Sequence, residues 1–220
     1  MRLNIDKTIA KPIGSFAHLD FTGRFNLNWT NGPIKALGIT ICSDYEVMYE
    51  ENILPRLKSF DNILMMWHSR GLSLKGKVTI LKSLGLPKLI YPMSVLPIPS
   101  LVVEIVDNMI IDFMWSQRTP KVKKDVIIQS IESGGLKVHR FSAIVETNRI
   151  AWINRILDDT KDSKWKCILK STISPLSLRH FTECHLHPSI IDKIKIPFYR
   201  QVYELWNRFR QEPVQLKEIM

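Results

Sequence analysis

Acidic residues are the scarce ones in this chain: 21 Asp and Glu stand against 31 Lys and Arg, a formal net charge of +10. Such a balance speaks to association and not to fold, and it favours a nucleic acid or another anionic partner. Cysteine is rare as well. Cys42, Cys167 and Cys184 are odd in number and widely spaced, so no disulfide framework is implied and a reducing compartment is the simpler setting. Long apolar runs are missing. The most apolar window, 84–106, carries Lys88 and is broken by Pro87, Pro92, Pro97 and Pro99, whereas a membrane span needs about 20 unbroken apolar residues. The opening MRLNIDKTIAKPIGSF has no apolar core of a secretory signal, so the expectation is a soluble intracellular protein with no membrane partner.

Catalytic signatures are lacking too. There is no Gly-x-Ser-x-Gly and no Cys–His nucleophile pair. Asp158-Asp159 sits in a polar loop and reads as a solvated helix end rather than a magnesium site. His180, Cys184, His185 and His187 match no familiar zinc spacing and read as a polar loop. Residues Gly71 to Lys77 fit the Gly-x4-Gly-Lys skeleton of a phosphate-binding loop. Val78 replaces the Ser or Thr that would hold magnesium, and a helical pattern precedes it where a strand is required. The expectation is no catalytic residue, no metal ligand and no cofactor in this chain.

What is present is an ordinary globular composition, 45% hydrophobic over 220 residues, enough for one domain or two small ones. The reading is mainly α. FNLNW (25–29) and IKALGITI (34–41) flank Asn31-Gly32, which predicts a β-hairpin over 25–41 with no sheet partner elsewhere in the chain. Ile53, Leu57, Phe60, Leu64 and Trp67 recur at helical spacing, with Pro55 in the first turn and Gly71 at the end. Ser73 caps a second helix, 74–85, with Leu74, Val78, Leu81 and Leu84 inward and Lys75, Lys77 and Lys82 outward. The connector 87–99 is expected to be extended or turning, because residues before prolines avoid the α region.

Ser100 opens a third helix with Val102, Ile105, Val106, Met109, Ile110 and Phe113 inside, closing at Trp115. Gly134-Gly135 marks a sharp turn. A further helix starts at Ser142 and runs through Ile144, Ile150, Trp152 and Leu157; a last one follows Pro197, with Tyr199, Val202, Tyr203, Trp206 and Phe209 on one face. Most of the six tryptophans fall at such periodic positions and are expected in the core.

The functional candidates are basic. Arg70, Lys75, Lys77, Lys82 and Lys88 occur with no acid before Glu104. Lys121, Lys123 and Lys124 form a weaker second set, with Arg118 beside them and Lys137 further on. A basic helix pair with apolar inner faces suits a polyanion.

From Ala36 to Leu157 the chain resembles the segment that follows the polymerase palm in reverse transcriptases of non-LTR (LINE-type) retrotransposons. Lys35-Ala36-Leu37-Gly38-Ile39 is similar to the strand that ends the palm region. Trp67 with Leu72-Ser73-Leu74-Lys75-Gly76-Lys77 is similar to a thumb motif, followed in order by Leu86-Pro87-Lys88-Leu89-Ile90-Tyr91 and Leu96-Pro97-Ile98-Pro99. Phe113-Met114-Trp115, Gly134-Gly135-Leu136 and Ala151-Trp152 with Arg155 and Leu157 complete the pattern.

The resemblance implies a helical thumb-like bundle whose N-terminal β-hairpin joins a missing palm. Residues 1–45 would end the palm-like region, 46–118 would be the thumb-like helices, and 119–220 a C-terminal helical region. Its implied role is to grip the template–primer duplex by the backbone, with RNA, DNA or an RNA–DNA hybrid as partner. The contacts would come from Arg70, Lys75, Lys77, Lys82 and Lys88, and secondarily from Lys121, Lys123 and Lys124. The family's catalytic aspartates, which hold Mg2+, lie upstream of these motifs. The expectation is therefore a fragment or truncated copy, inactive as a polymerase alone. It would work with palm and fingers of the same polyprotein, in nucleus and cytoplasm. The alternative is a helical interaction module or inactive retroelement remnant with no nucleic-acid role.

Overall fold

A computed structural model describes residues 4–12, 19–21, 23–42, 44–116, 118–158, 160, 163–174 and 177–211, and the chain divides into two compact units, 1–60 and 61–220. Asp159 of the carboxylate pair lies outside the described residues, as do 212–220 and parts of 1–45. The fold is mainly helical with a small N-terminal hairpin, as the residue pattern predicts.

In the first unit the hairpin is shorter than 25–41 and turns elsewhere. Strands β3 (Ile34–Ala36) and β4 (Ile39–Ile41) pair antiparallel around Leu37-Gly38, both at positive φ (+50° and +77°), the signature of a tight two-residue hairpin turn. Asn31-Gly32 fails as the turn for a covalent reason. Pro33 follows it, and without an N–H it cannot make the bond that closes a two-residue hairpin. Their carbonyls accept instead from Lys11 Nζ, at 2.8 and 2.6 Å. Strand β2 (Asn28–Trp29) pairs in parallel with β1 (Ile9–Ala10).

The hairpin also has a partner within the chain, contrary to expectation. Helix α1 (Tyr45–Asn52), N-capped by Asp44, packs on β4. Buried Asn52 binds the Thr40 peptide on both sides, accepting from its N–H and donating to its carbonyl at 2.8 Å each. Pro55 separates α1 from α2 (Leu54–His68), whose Phe60 and Leu64 are buried.

In the second unit, Ser73 caps α3 (Leu74–Ile80) by accepting from the Gly76 N–H. A π-turn, Leu81–Gly85, follows, closed by the Leu86 N–H on the Leu81 carbonyl at 2.8 Å. The extra residue advances the helix face by about a quarter turn. Gly85 and Leu86 therefore face inward, while Leu84 is exposed where the simple period put it inside. The expected extended connector is mostly helix: α4 (Pro87–Val95) takes Pro87 at its first position and holds Pro92 inside. Burial of Leu89 and Met93 outweighs the hydrogen bond that Pro92 cannot make, and only residues 96–99 run extended.

Helix α5 (Ser100–Trp115) buries Val102, Val106, Ile110, Phe113 and Met114, with Ile105 exposed. A short α6 (Lys124–Ile128) leads to the 131–134 turn, which folds back so that Leu136 and Val138 donate to the Ile127 carbonyl. Helix α7 (Phe141–Leu157) packs against α4, α5, α9 (Leu178–Glu183) and α11 (Pro197–Gln211). Its buried stripe is Phe141, Val145, Arg149, Ile153 and Ile156, while Ile144, Ile150 and Trp152 are half-buried and Leu157 is exposed. Ile153 and Ile156 join Leu169 and Ile173 of α8 (Trp165–Ile173), Phe181 of α9, and Phe198, Val202 and Tyr203 of α11 in one apolar core. A four-residue helix, α10 (Pro188–Ile191), precedes α11. All six tryptophans are half-buried; Trp152 meets both Trp165 and Phe198 edge-on.

Gly135 is the tightest backbone approach. A Cβ there would lie 2.2 Å from the Gln129 carbonyl oxygen, whereas Gly134, at φ +81°, has open space beside it. Gly135→Ala should lower stability in a denaturant melt by about 3 kcal/mol, through backbone displacement. Gly134→Ala should lower it by only about 1 kcal/mol, through φ strain.

Candidate nucleic-acid interface

The proposed contact residues are spread over α3, the π-turn, α4, the first residue of α6 and two loops. Arg70 follows α2 and lays its guanidinium over the Trp67 ring, 4.7 Å from the centroid. Lys75 is exposed on α3, Lys82 half-buried in the π-turn, and Lys88 exposed in the first turn of α4. Lys121 and Lys123 are exposed and Lys124 half-buried; with Trp115 they border one cavity of about 290 Å³. Among the described residues none of these cations pairs with a carboxylate; the ion pairs there are Arg179–Glu183 and Arg208–Glu146.

Lys77 does not belong to this set. Its side chain is buried, and its ammonium donates to the Phe113 carbonyl (2.8 Å), the Met114 carbonyl (3.0 Å) and the Ser116 hydroxyl (2.5 Å). Three donors meet three acceptors at the C-terminal end of α5, where a helix leaves carbonyls unpaired and its dipole favours a cation. Burial first, and the charge of Arg118 second, lower its pKa from the ordinary lysine value. The helical period correctly put position 77 on α3 but could not say that α5 ends beside it. The same placement disposes of the phosphate-loop lookalike, whose lysine is committed to protein carbonyls.

Of two residues missed in the sequence, His139 and Arg140, the first lies near Lys82. His139 and Arg140 are exposed beside Lys137 and, with Asn148, line a cavity of about 360 Å³. Lys137 adopts φ +54° and donates its N–H to the Gln129 carbonyl, which directs the segment leaving the glycine turn. Partial burial, then Lys82, then Lys137, lower the His139 pKa from the ordinary histidine value, which favours its neutral form. The only sequence signal was the basic run after Gly134-Gly135; its nearness to Lys82 arises from folding.

The histidine-rich stretch serves local structure. His180 completes a capping box with Ser177, and the His187 ring accepts from the Ser189 N–H at the start of α10. Among the described residues no three His, Cys, Asp or Glu gather as metal ligands, and no helix is long and apolar enough to cross a membrane. The chain matches no protein-family model.

Lys77→Met should cost about 2 kcal/mol of stability by stranding the α5 carbonyls, while Lys75→Ala should stay within about 0.5 kcal/mol in the same chemical denaturation assay. For His139 the sign is also defined. Its folded pKa lies below the unfolded value, so between the two the unfolded chain binds more protons; stability rises with pH through that window and falls as pH drops below 6.5. His139→Gln should flatten this dependence in thermal melts taken across the window, and an unchanged profile would discount the effect.

Proposed function

We propose that the chain is the thumb and following helical region of a LINE-type RNA-directed DNA polymerase, gripping a template–primer duplex through its backbone. The observation that carries this reading is the set of basic side chains that, among the described residues, have no carboxylate partner. Arg70, Lys75, Lys82, Lys88, Lys121, Lys123 and Lys124 are free to meet phosphates, and Lys137 and Arg140 are further exposed cations. Backbone contacts position a duplex without reading its sequence. An RNA–DNA hybrid is A-like, with a shallow minor groove that presents shape, 2′-hydroxyls and phosphates. The aromatic faces of Trp67 and Trp115, next to Arg70 and the 121–124 lysines, suit contact with exposed sugar or base edges. In this reading the 34–41 hairpin is the seam to a palm that supplies the aspartates and Mg2+, and the isolated chain does not polymerise.

A second reading has its own support. Met65 and Met66 are largely exposed on α2, and Met65 with Leu64, Met109 and Phe113 lines a cavity of about 240 Å³. Exposed methionines beside an apolar recess suit a protein partner, which makes an interaction module without nucleic acid the competing function.

Fluorescence anisotropy with a labelled RNA–DNA hybrid separates the two. The grip predicts affinity that falls steeply between about 50 and 200 mM salt. Lys75→Ala and Lys82→Ala should each weaken binding for every sequence tested and reduce the salt slope by roughly one. Affinity that is absent, or flat with salt, would defeat the grip and leave the interaction reading.

A further inference from the structure

A cavity of about 770 Å³ lies in the 61–220 unit where α5, α7 and α11 meet. Its volume falls within the roughly 300–1,000 Å³ typical of small-molecule sites. The charged residues lining it balance formally: Lys124, Arg140, Arg149 and Arg208 against Glu104, Asp107, Glu146 and Glu204. They are not, however, mutually satisfied. Both oxygens of Asp107 accept from the backbone N–H groups of Phe141 and Ser142. Glu146 is paired with Arg208, and Glu104 and Glu204 are exposed to solvent.

Arg149 is different. It is fully buried, its Nη2 donates to the Leu96 carbonyl, and its Nε and Nη1 have no acceptor. The guanidinium stacks over Phe198 at 4.5 Å, which contributes cation–π attraction but accepts no hydrogen bond. Burial lowers its pKa from the ordinary arginine value to about 10, and it remains a cation at neutral pH. A buried, charged donor with neither carboxylate nor solvent is costly, and native proteins rarely leave one so.

We propose that this cavity binds a small molecule carrying one oxyanion group, a carboxylate or a phosphate, whose oxygens accept from the free nitrogens of Arg149. The apolar walls, Val103, Val145 and Leu205, would cover the body of such a ligand. The lining sums to zero charge, so what suits the cavity to a single anionic group rather than a polyanion is the pair of unsatisfied donors on Arg149. Of the cations in the duplex-binding reading the cavity shares half-buried Lys124 and exposed Arg140, but the proposal rests on Arg149 and stands or falls without that reading.

The test uses the full chain at constant ionic strength set with chloride. Inorganic phosphate is followed by 31P NMR line width, and acetate in a parallel titration by 1H line width. Saturable broadening of one ligand is expected, and which ligand broadens assigns the oxyanion. Arg149→Met should weaken that binding by about tenfold or more, the loss expected for a charge-assisted bond. Asn108→Trp, a substitution at an exposed cavity-lining position, should block entry while leaving Arg149 and the fold intact. If Arg149→Met does not fold, Asn108→Trp decides. No broadening by either ligand, or equal broadening in Asn108→Trp and wild type, overturns the proposal; the latter would place the anion on surface lysines.

Discussion

Four helices lean on α7, and the carboxylate of Asp107 fixes where α7 begins. Asp107 is buried on α5, yet its oxygens accept from the N–H groups of Phe141 (2.7 Å) and Ser142 (3.3 Å), the first residues of α7. An N-cap supplied from another helix satisfies donors that the local residue, Arg140, cannot satisfy, and opposes a negative charge to the positive end of the helix dipole. It also ties α5 to α7 in one rotational register. With α7 so anchored, Ile153 and Ile156 reach the C-terminal core and Arg149 is carried into the interior.

The cations answer the acids at the opposite helix ends. Lys77 donates to the last carbonyls of α5, Arg149 to Leu96 just past α4, and Lys166 to Asp158 just past α7. Arg210 donates to Thr182 and Cys184 at the end of α9, and Arg200 to Asp192 and Ile194 after α10. A chain built from many short helices has many unpaired carbonyls to satisfy, and long basic side chains reach them from neighbouring elements. Part of the +10 charge therefore holds the fold together. What is left over, on exposed α3, α4 and the 118–124 loop, is the part available to a partner.

Much of the helical order was legible because it depends on spacing and caps. Ser73 caps the helix that follows, and the apolar stripes of α2, α5 and α11 run at helical period. The misreadings each have a specific cause. Pro33 spoils the Asn-Gly turn, so the bend moves to Leu37-Gly38, where Leu37 accepts a left-handed conformation. Proline density in 87–99 suggested extended chain, but apolar burial overrides the proline preference and makes α4. The stripe of α7 was misplaced because an arginine occupies its centre, and hydropathy alone puts arginine outside.

The candidate site divides in the same way. Which residues are cationic, and that Arg70 to Lys88 contains no acid, follows from the sequence alone, as does the mainly α fold, because both are properties of composition and short-range period. Which cations are available was decided by tertiary structure. Lys77 and Lys75 are two residues apart and chemically identical, but only Lys77 faces the carbonyls of a helix 36 and 37 residues later in the chain. Lys82 gains His139 as a neighbour, and Arg149 is buried with two nitrogens lacking an acceptor, for the same reason. Hydrogen bonding and desolvation depend on which distant segments pack together, and local period carries no record of that.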